Sequence, residues 1–248
     1  MSKIRVAIGA ILRDIKHQIL FNWILRFKSQ PLTVSNKKAI VFAPHQDDET
    51  FGCGGTIALK HSQGVPVKVV FLTDGHLGRP EWVKPEEIIQ LRQQEAKNAL
   101  SSLGIESSAI SFVGEIDGSL SQLENIPRQK LIGDLIEILQ SFKPEEIYVP
   151  HNKDGHPDHE ATYELVRSAI EQAGINADLL QYPIWAFWRK PSDSTIKKQD
   201  IANAYKVFIG SVRQQKKQAI ENYQSQIRGL PGVLIDSCTC EYEIFFKS

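Results

Sequence analysis

Residues 38–75 read KAIVFAPHQDDETFGCGGTIALKHSQGVPVKVVFLTDG. Lys38 to Ala43 is a short apolar, β-rich run ended by Pro44. Gly54 to Ser62 has the composition of a helix, and Val67 to Leu72 is a second apolar strand stopped by Thr73-Asp74-Gly75. Neither strand alternates polar with apolar residues, so each is expected to be covered on both faces, as strands of a parallel sheet are. The same alternation continues outward. Helices are expected at Glu86 to Leu103, Arg128 to Phe142 and Pro157 to Ala173, and strands at Ile110 to Val113, Glu146 to Val149, Leu179 to Trp185 and Glu241 to Phe246. The pattern predicts an α/β fold, a Rossmann-like open sandwich with a mostly parallel sheet and helices on both faces. No domain boundary is expected within 36–248, and the polar stretch 186–203 reads as a surface excursion or lid.

Two loops collect the chemistry. Pro44-His45-Gln46-Asp47-Asp48-Glu49 follows the first strand, and His151 to His159 (HNKDGHPDH) follows the strand at 146–149. In an open α/β sheet the ligand crevice lies outside the carboxyl ends of the strands, so both loops are expected at one site. His156 and His159 have N-cap to N3 spacing around Pro157, which suits the first helical position. Two His and one Asp make a three-ligand set for a catalytic zinc, leaving a fourth position for a water whose pKa zinc lowers to about 7. Taken singly, the acidic turn at 47–49 and the HPDH helix start are ordinary structural features. Brought to one face, they put three imidazoles and several carboxylates together.

PHQDDE at 44–49 with HPDH at 156–159 resembles the LmbE-like (PIG-L) family of zinc-dependent deacetylases, which remove acetyl groups from N-acetylglucosaminyl conjugates. The likeness extends over about residues 38–228. It includes Gly52-Cys53-Gly54-Gly55-Thr56, Thr73-Asp74-Gly75, Arg92-x-x-Glu95 with Leu103-Gly104, and Lys216, Ala219, Tyr223, Ser225 and Gln226. The resemblance implies that His45, Asp48 and His159 ligate Zn2+, with Fe2+ the other divalent candidate. Asp47 would be the general base, and His156 would stabilise the oxyanion and protonate the leaving amine, with Asp158 orienting its ring. Arg92, Asp117 and Tyr223 match substrate-binding positions. Gln46 stands where the family usually has proline, which is expected to loosen the turn. The implied substrate is an amino-sugar conjugate such as a glycolipid, a lipid-linked saccharide or a small glycoside. A metal-dependent phosphoesterase and a non-catalytic sugar- or nucleotide-binding module are the alternative readings.

The chain has 248 residues, with 29 Lys+Arg against 29 Asp+Glu and hence a formal net charge of zero. That balance argues against nucleic-acid binding, which needs a basic excess. Three cysteines are too few for a secreted disulfide framework, and a reducing, cytoplasmic setting is expected. The neutrality is uneven. Residues 1–28 hold Lys3, Arg5, Arg13, Lys16, Arg26 and Lys28 against Asp14 alone, a net +5 offset by −5 in the remainder. Ile4, Ile8, Ile11, Leu12, Ile15 and Ile19 recur at helical spacing, so 1–35 is expected to be a basic amphipathic helix and linker ahead of a catalytic domain at 36–248. Its uncharged runs are shorter than the roughly 20 residues that span a bilayer. The helix suits packing on the protein's own core or a second subunit. It equally suits peripheral contact with the inner face of a membrane, with Phe21, Trp23 and Phe27 as interfacial anchors. The sequence leaves the oligomeric state open.

Overall fold

A computed structural model describes residues 2–188 and 198–247. Its strands are β1 (Gln30–Pro31), β2 (Ala39–Ala43), β3 (Val67–Thr73), β4 (Ile110–Glu115), β5 (Glu146–Pro150), β6 (Asp178–Tyr182), β7 (Ala204–Phe208) and β8 (Tyr242–Lys247). They form a single sheet in the order β1-β7-β8-β6-β5-β2-β3-β4. Every pairing is parallel except those of β8, which runs antiparallel to both β6 and β7. The helices are α1 (Ser2–Trp23), α2 (Asp48–Ser62), α3 (Ile88–Ser102), α4 (Asn125–Phe142), α5 (Pro157–Ala173), α6 (Lys198–Ile201), α7 (Arg213–Glu221), α8 (Gln224–Ile227) and α9 (Gly232–Cys238). The expected Rossmann-like sandwich is thus present.

Central strands are buried on both faces because alternate side chains enter different cores. In β2 every residue is buried. Ala39, Val41 and Ala43 join one cluster with α2, α3 and α7, while Ile40 and Phe42 join another with α4 and α5. From β2 the chain runs to β3 and β4 on one side, then returns to β5 and β6 on the other. The order therefore reverses between β2 and β5, the two strands that carry the chemical loops, and ligands bind at such switch points.

Helix α2 starts at Asp48, six residues before the expected start at Gly54. Three glycines weaken its intrinsic propensity, but tertiary packing requires them. A Cβ on Gly52 would lie 2.3 Å from the Tyr182 ring, and one on Gly55 would lie 2.6 Å from the Ile209 side chain. A buried ion pair is also built into the helix: Lys216 Nζ donates to Phe51 O (2.8 Å) and contacts Glu243 Oε1 (2.7 Å), while Glu243 accepts the amides of Gly55 and Thr56 (2.7 and 2.8 Å). Phe51 and Gly55 are the two residues an α-helix pairs with each other. Replacing a helical glycine by alanine usually stabilises by about 1 kcal/mol. Gly52→Ala is expected to do the reverse, losing about 1–3 kcal/mol through overpacking, read as a lower denaturant midpoint.

The carboxyl-terminal third departs most from expectation. The strand expected at 179–185 ends at Tyr182, before Pro183. Ala186, Phe187 and Ile201, assigned to a surface excursion at 186–203, are buried core, and Lys198–Ile201 is helix α6; residues 189–197 of that excursion lie outside the described residues. Strand β7 and helices α7 to α9 had not been anticipated. In α1 the orientation is the surprise: Ile11, Leu12, Ile15 and Ile19 are exposed. Asp14, His17 and Phe21 contact the body, with Phe21 packed near Phe187 rather than available as an outer anchor. Burial lowers the His17 pKa to about 4, so the ring is neutral where it meets Ser237 Oγ at 2.8 Å.

Candidate active site

The loop after β2 turns sharply into α2 at Asp47, whose φ of 152° is rare for a side-chain-bearing residue. That conformation is held from several sides. The Asp47 amide donates to Glu49 Oε2 (3.1 Å), and Arg92 donates to Gln46 O (2.8 Å) and Gly75 O (2.9 Å) while lying 3.3 Å from Asp47 Oδ1. Gln46 does not loosen the turn as expected; its amide donates to Thr73 O (2.7 Å) and ties the loop to the end of β3. Strain kept in place by so many contacts is a mark of functional sites.

The loop after β5 enters α5 with His156 as N-cap, accepting the Asp158 amide at Nδ1, and Pro157 in the first turn. His45, Asp47, Asp48, Arg92, Asp117, His156 and Asp158 then line an open cavity of about 450 Å³, a size suited to a small ligand. His159 is fully buried and does not line the cavity, its ring centroid lying 5.4 Å from that of His45 and 4.9 Å from that of His156. Asp48 Oδ2 lies 3.2 Å from His45 Nδ1 and 3.3 Å from His159 Nε2, and His159 Nε2 is buried without a hydrogen-bond partner. Metal–ligand bonds of about 2.0–2.2 Å put adjacent tetrahedral ligand atoms roughly 3.3–3.6 Å apart, and the two spacings to Asp48 Oδ2 are close to that range. Among the described residues, the sets whose ligand atoms all lie within 4.8 Å of one another are His45, His156 and His159, and His45, Asp117 and Asp158; the expected ligand Asp48 enters neither.

Beyond the three candidate ligands, carboxylates fix both imidazoles. Asp154 Oδ2 sits 2.7 Å from His159 Nδ1 and accepts the Trp185 amide, while Asp154 Oδ1 accepts the amides of Ile184, Trp185 and Ala186. Asp117 Oδ1 and Asp158 Oδ2 lie 3.0 and 3.3 Å from His45 Nε2. Carboxylates in these positions select the tautomer that points the other ring nitrogen at a metal. Asp158 therefore meets His45, not the His156 ring it was expected to orient, because the amides of Gly118 and Leu120 hold its carboxylate on the other side.

Electrostatics follow from burial and these pairs. Burial pushes the Asp47 pKa up to about 7 against the lowering pull of Arg92. Burial would raise Asp48 as well, but His159 and His45 hold it well below the carboxylate range. Burial disfavours His159 protonation, yet Asp48 and Asp154 carry its pKa up to about 9. His156, desolvated and next to His159 and His45, falls to about 4.

Three substrate-binding positions were expected. Arg92 and Asp117 border the cavity, although the Arg92 guanidinium is largely occupied by backbone carbonyls and Asp47. Tyr223 is outside it: fully buried, its hydroxyl donates to Glu49, the residue that holds the Asp47 amide. Asp154 and Glu49 were missed as site residues, and Trp185, which the sequence favours as core, lines the cavity. A carboxylate five residues before a candidate ligand histidine was the readable signal for Asp154.

The family model for GlcNAc-PI de-N-acetylase (PIG-L) matches residues 40–170. A probable N-acetyl-alpha-D-glucosaminyl L-malate deacetylase 2 of Bacillus cereus is 33% identical over 142 residues, covering 55% of this chain and 62% of that protein. The chain thus spans about three fifths of the length of the first curated relatives it matches. Among solved structures, a conserved protein from Thermus thermophilus superposes with a TM-score of 0.66 at 24% identity, over 85% of this chain and 94% of that one. The N,N'-diacetylchitobiose deacetylase from Pyrococcus horikoshii gives 0.61 at 23% identity, over 88% and 82%.

Proposed function

The chain belongs to the GlcNAc-PI de-N-acetylase (PIG-L) family, and from that premise we propose that it is a metal-dependent hydrolase that removes the acetyl group from an N-acetylglucosaminyl-type amino-sugar conjugate. The observation that carries this reading is the Asp48 carboxylate set between His45 Nδ1 and His159 Nε2 at 3.2 and 3.3 Å, beside the strained Asp47. The activities named for the relatives, a probable N-acetylglucosaminyl malate deacetylase and a diacetylchitobiose deacetylase, support the same class of substrate.

His45, Asp48 and His159 would hold the cation. Zn2+ or Fe2+ there would supply Lewis-acid polarisation of the acetyl carbonyl and a lowered pKa for the attacking water. Asp47, largely buried and raised towards neutrality, would take the proton from the attacking water, and Arg92 keeps its carboxylate in place at the cavity. His156, at the cavity wall beside both His45 and His159 and with its pKa lowered to about 4, is neutral. With Nδ1 accepting the Asp158 amide, it offers Nε2–H to the negative charge growing on the carbonyl oxygen. The proton that reaches the departing amine is the one Asp47 took, not one from His156 as expected. Water is thereby added across the C–N bond, giving acetate and a free amino sugar. Asp154, Asp117 and Asp158 position the two ligand imidazoles.

Acetate release by the zinc-loaded protein, measured across soluble and lipid-linked N-acetylglucosaminides with phosphoesters in parallel, tests the reading. Acetate from at least one conjugate and no phosphate from the esters is expected. Phosphate release, or ligand binding with no acetate from any conjugate, would replace it with a phosphoesterase or a binding module.

A further inference from the structure

Helix α1 is turned inside out for a water-facing element. An amphipathic helix on a globular body normally buries its apolar stripe. Here Ile11, Leu12, Ile15 and Ile19 are 56, 61, 50 and 65% exposed, and the stripe continues into the π-helical turn Ile24–Lys28 with exposed Trp23 and Phe27. The docking side is mixed: Leu20, Phe21, Ile24 and Leu25 pack in a cluster with Phe187 and Phe246, and polar contacts set the rest. Asp14 accepts Trp188 Nε1 (2.8 Å), Arg13 lies over the Trp188 ring (4.8 Å), and His17 meets Ser237 Oγ. These pairings fix the rotation of the helix, so its exposed stripe is a consequence of specific contacts and not of a detached segment.

We propose that this face seats the protein on an anionic membrane surface. Three observations select that occupant. Residues 1–28 carry a net +5; their single acid, Asp14, is engaged with the body; and Arg26 and Lys28 are exposed beside the aromatic end of the stripe. Apolar residues flanked by cations, with Trp and Phe at the boundary, match the layering of acyl chains, headgroups and water. A second copy of the chain fits poorly, because a two-fold contact through α1 would set one +5 helix against another. No described helix is long and apolar enough to cross a membrane, so the contact is peripheral. The docked helix is also one side-chain layer from the catalytic cavity. Trp188 stacks edge-on against Trp185, which lines the cavity, and α9 presents Ser237 to His17 while its Leu234 lines the cavity.

Vesicle sedimentation of the full chain tests this without reference to turnover. Phosphatidylcholine vesicles containing about one third phosphatidylglycerol are compared with pure phosphatidylcholine. The wild type is expected to pellet with the anionic vesicles, far less with the neutral ones, and less again in high salt. Ile15→Glu/Ile19→Glu is expected to cut partitioning by about tenfold or more. Circular dichroism and light scattering of the same variant should match the wild type, since both positions point away from the body. A wild type that stays in the supernatant with anionic vesicles overturns the proposal, as does binding untouched by the double substitution. So does a wild-type dimer that Ile15→Glu/Ile19→Glu dissociates, which would assign the face to a second copy.

Discussion

Asp47→Asn is expected to lower kcat by about 10²–10⁴-fold, the span associated with removal of a general base, while metal content and thermal stability stay near wild type. The side chain keeps its volume, so the contacts that hold residue 47 at φ 152°, Glu49 to its amide and Arg92 to Gln46 O, remain. What is lost is the capacity to accept a proton. The burial that pushes the Asp47 pKa up to about 7 is what suits it to that task near neutral pH. Retention of near-wild-type kcat by this variant would remove Asp47 from the mechanism.

Asp154 separates positioning from folding. Asp154→Asn keeps an oxygen for the amides of Ile184, Trp185 and Ala186 but removes the charge 2.7 Å from His159 Nδ1. Metal affinity is expected to fall about 10–100-fold, with activity recovered at saturating metal. Asp154→Ala leaves three buried amides without an acceptor as well, and should cost about 3–5 kcal/mol of stability. Metal titration followed by chemical denaturation of both variants measures the two effects. Equal metal affinity in Asp154→Asn and wild type would show that the carboxylate does not act through His159.

The parts of the site that were legible in the sequence were local. PHQDDE and HPDH are contiguous motifs, each bound to the end of an apolar strand, and the α/β alternation places such ends together. What was not legible depended on distant partners. The role of Asp154 rests on amides some thirty residues onward, and Asp158 turns to His45 only because the backbone at 118 and 120 holds its carboxylate. Tyr223 carries the right residue type, but packing places it behind Glu49 and away from the cavity. The glycines of α2 are visible in the sequence, but the Tyr182 and Ile209 side chains that occupy the missing Cβ space of Gly52 and Gly55 come from distant segments and are not. Periodicity identified α1 as amphipathic; it could not say which face turns inward, because that choice is made by pairings with Trp188 and Ser237.

The central claim is that acetyl removal depends on a cation held by His45, Asp48 and His159. Its most direct test is acetate release from an accepted N-acetylglucosaminide by chelator-stripped protein during stepwise zinc addition, with His159→Ala alongside. Activity should be absent after stripping, rise to a plateau at a single metal ion per chain, and fail to return in His159→Ala at the same zinc concentrations. Undiminished acetate release from the stripped protein, or wild-type response in His159→Ala, would contradict the account.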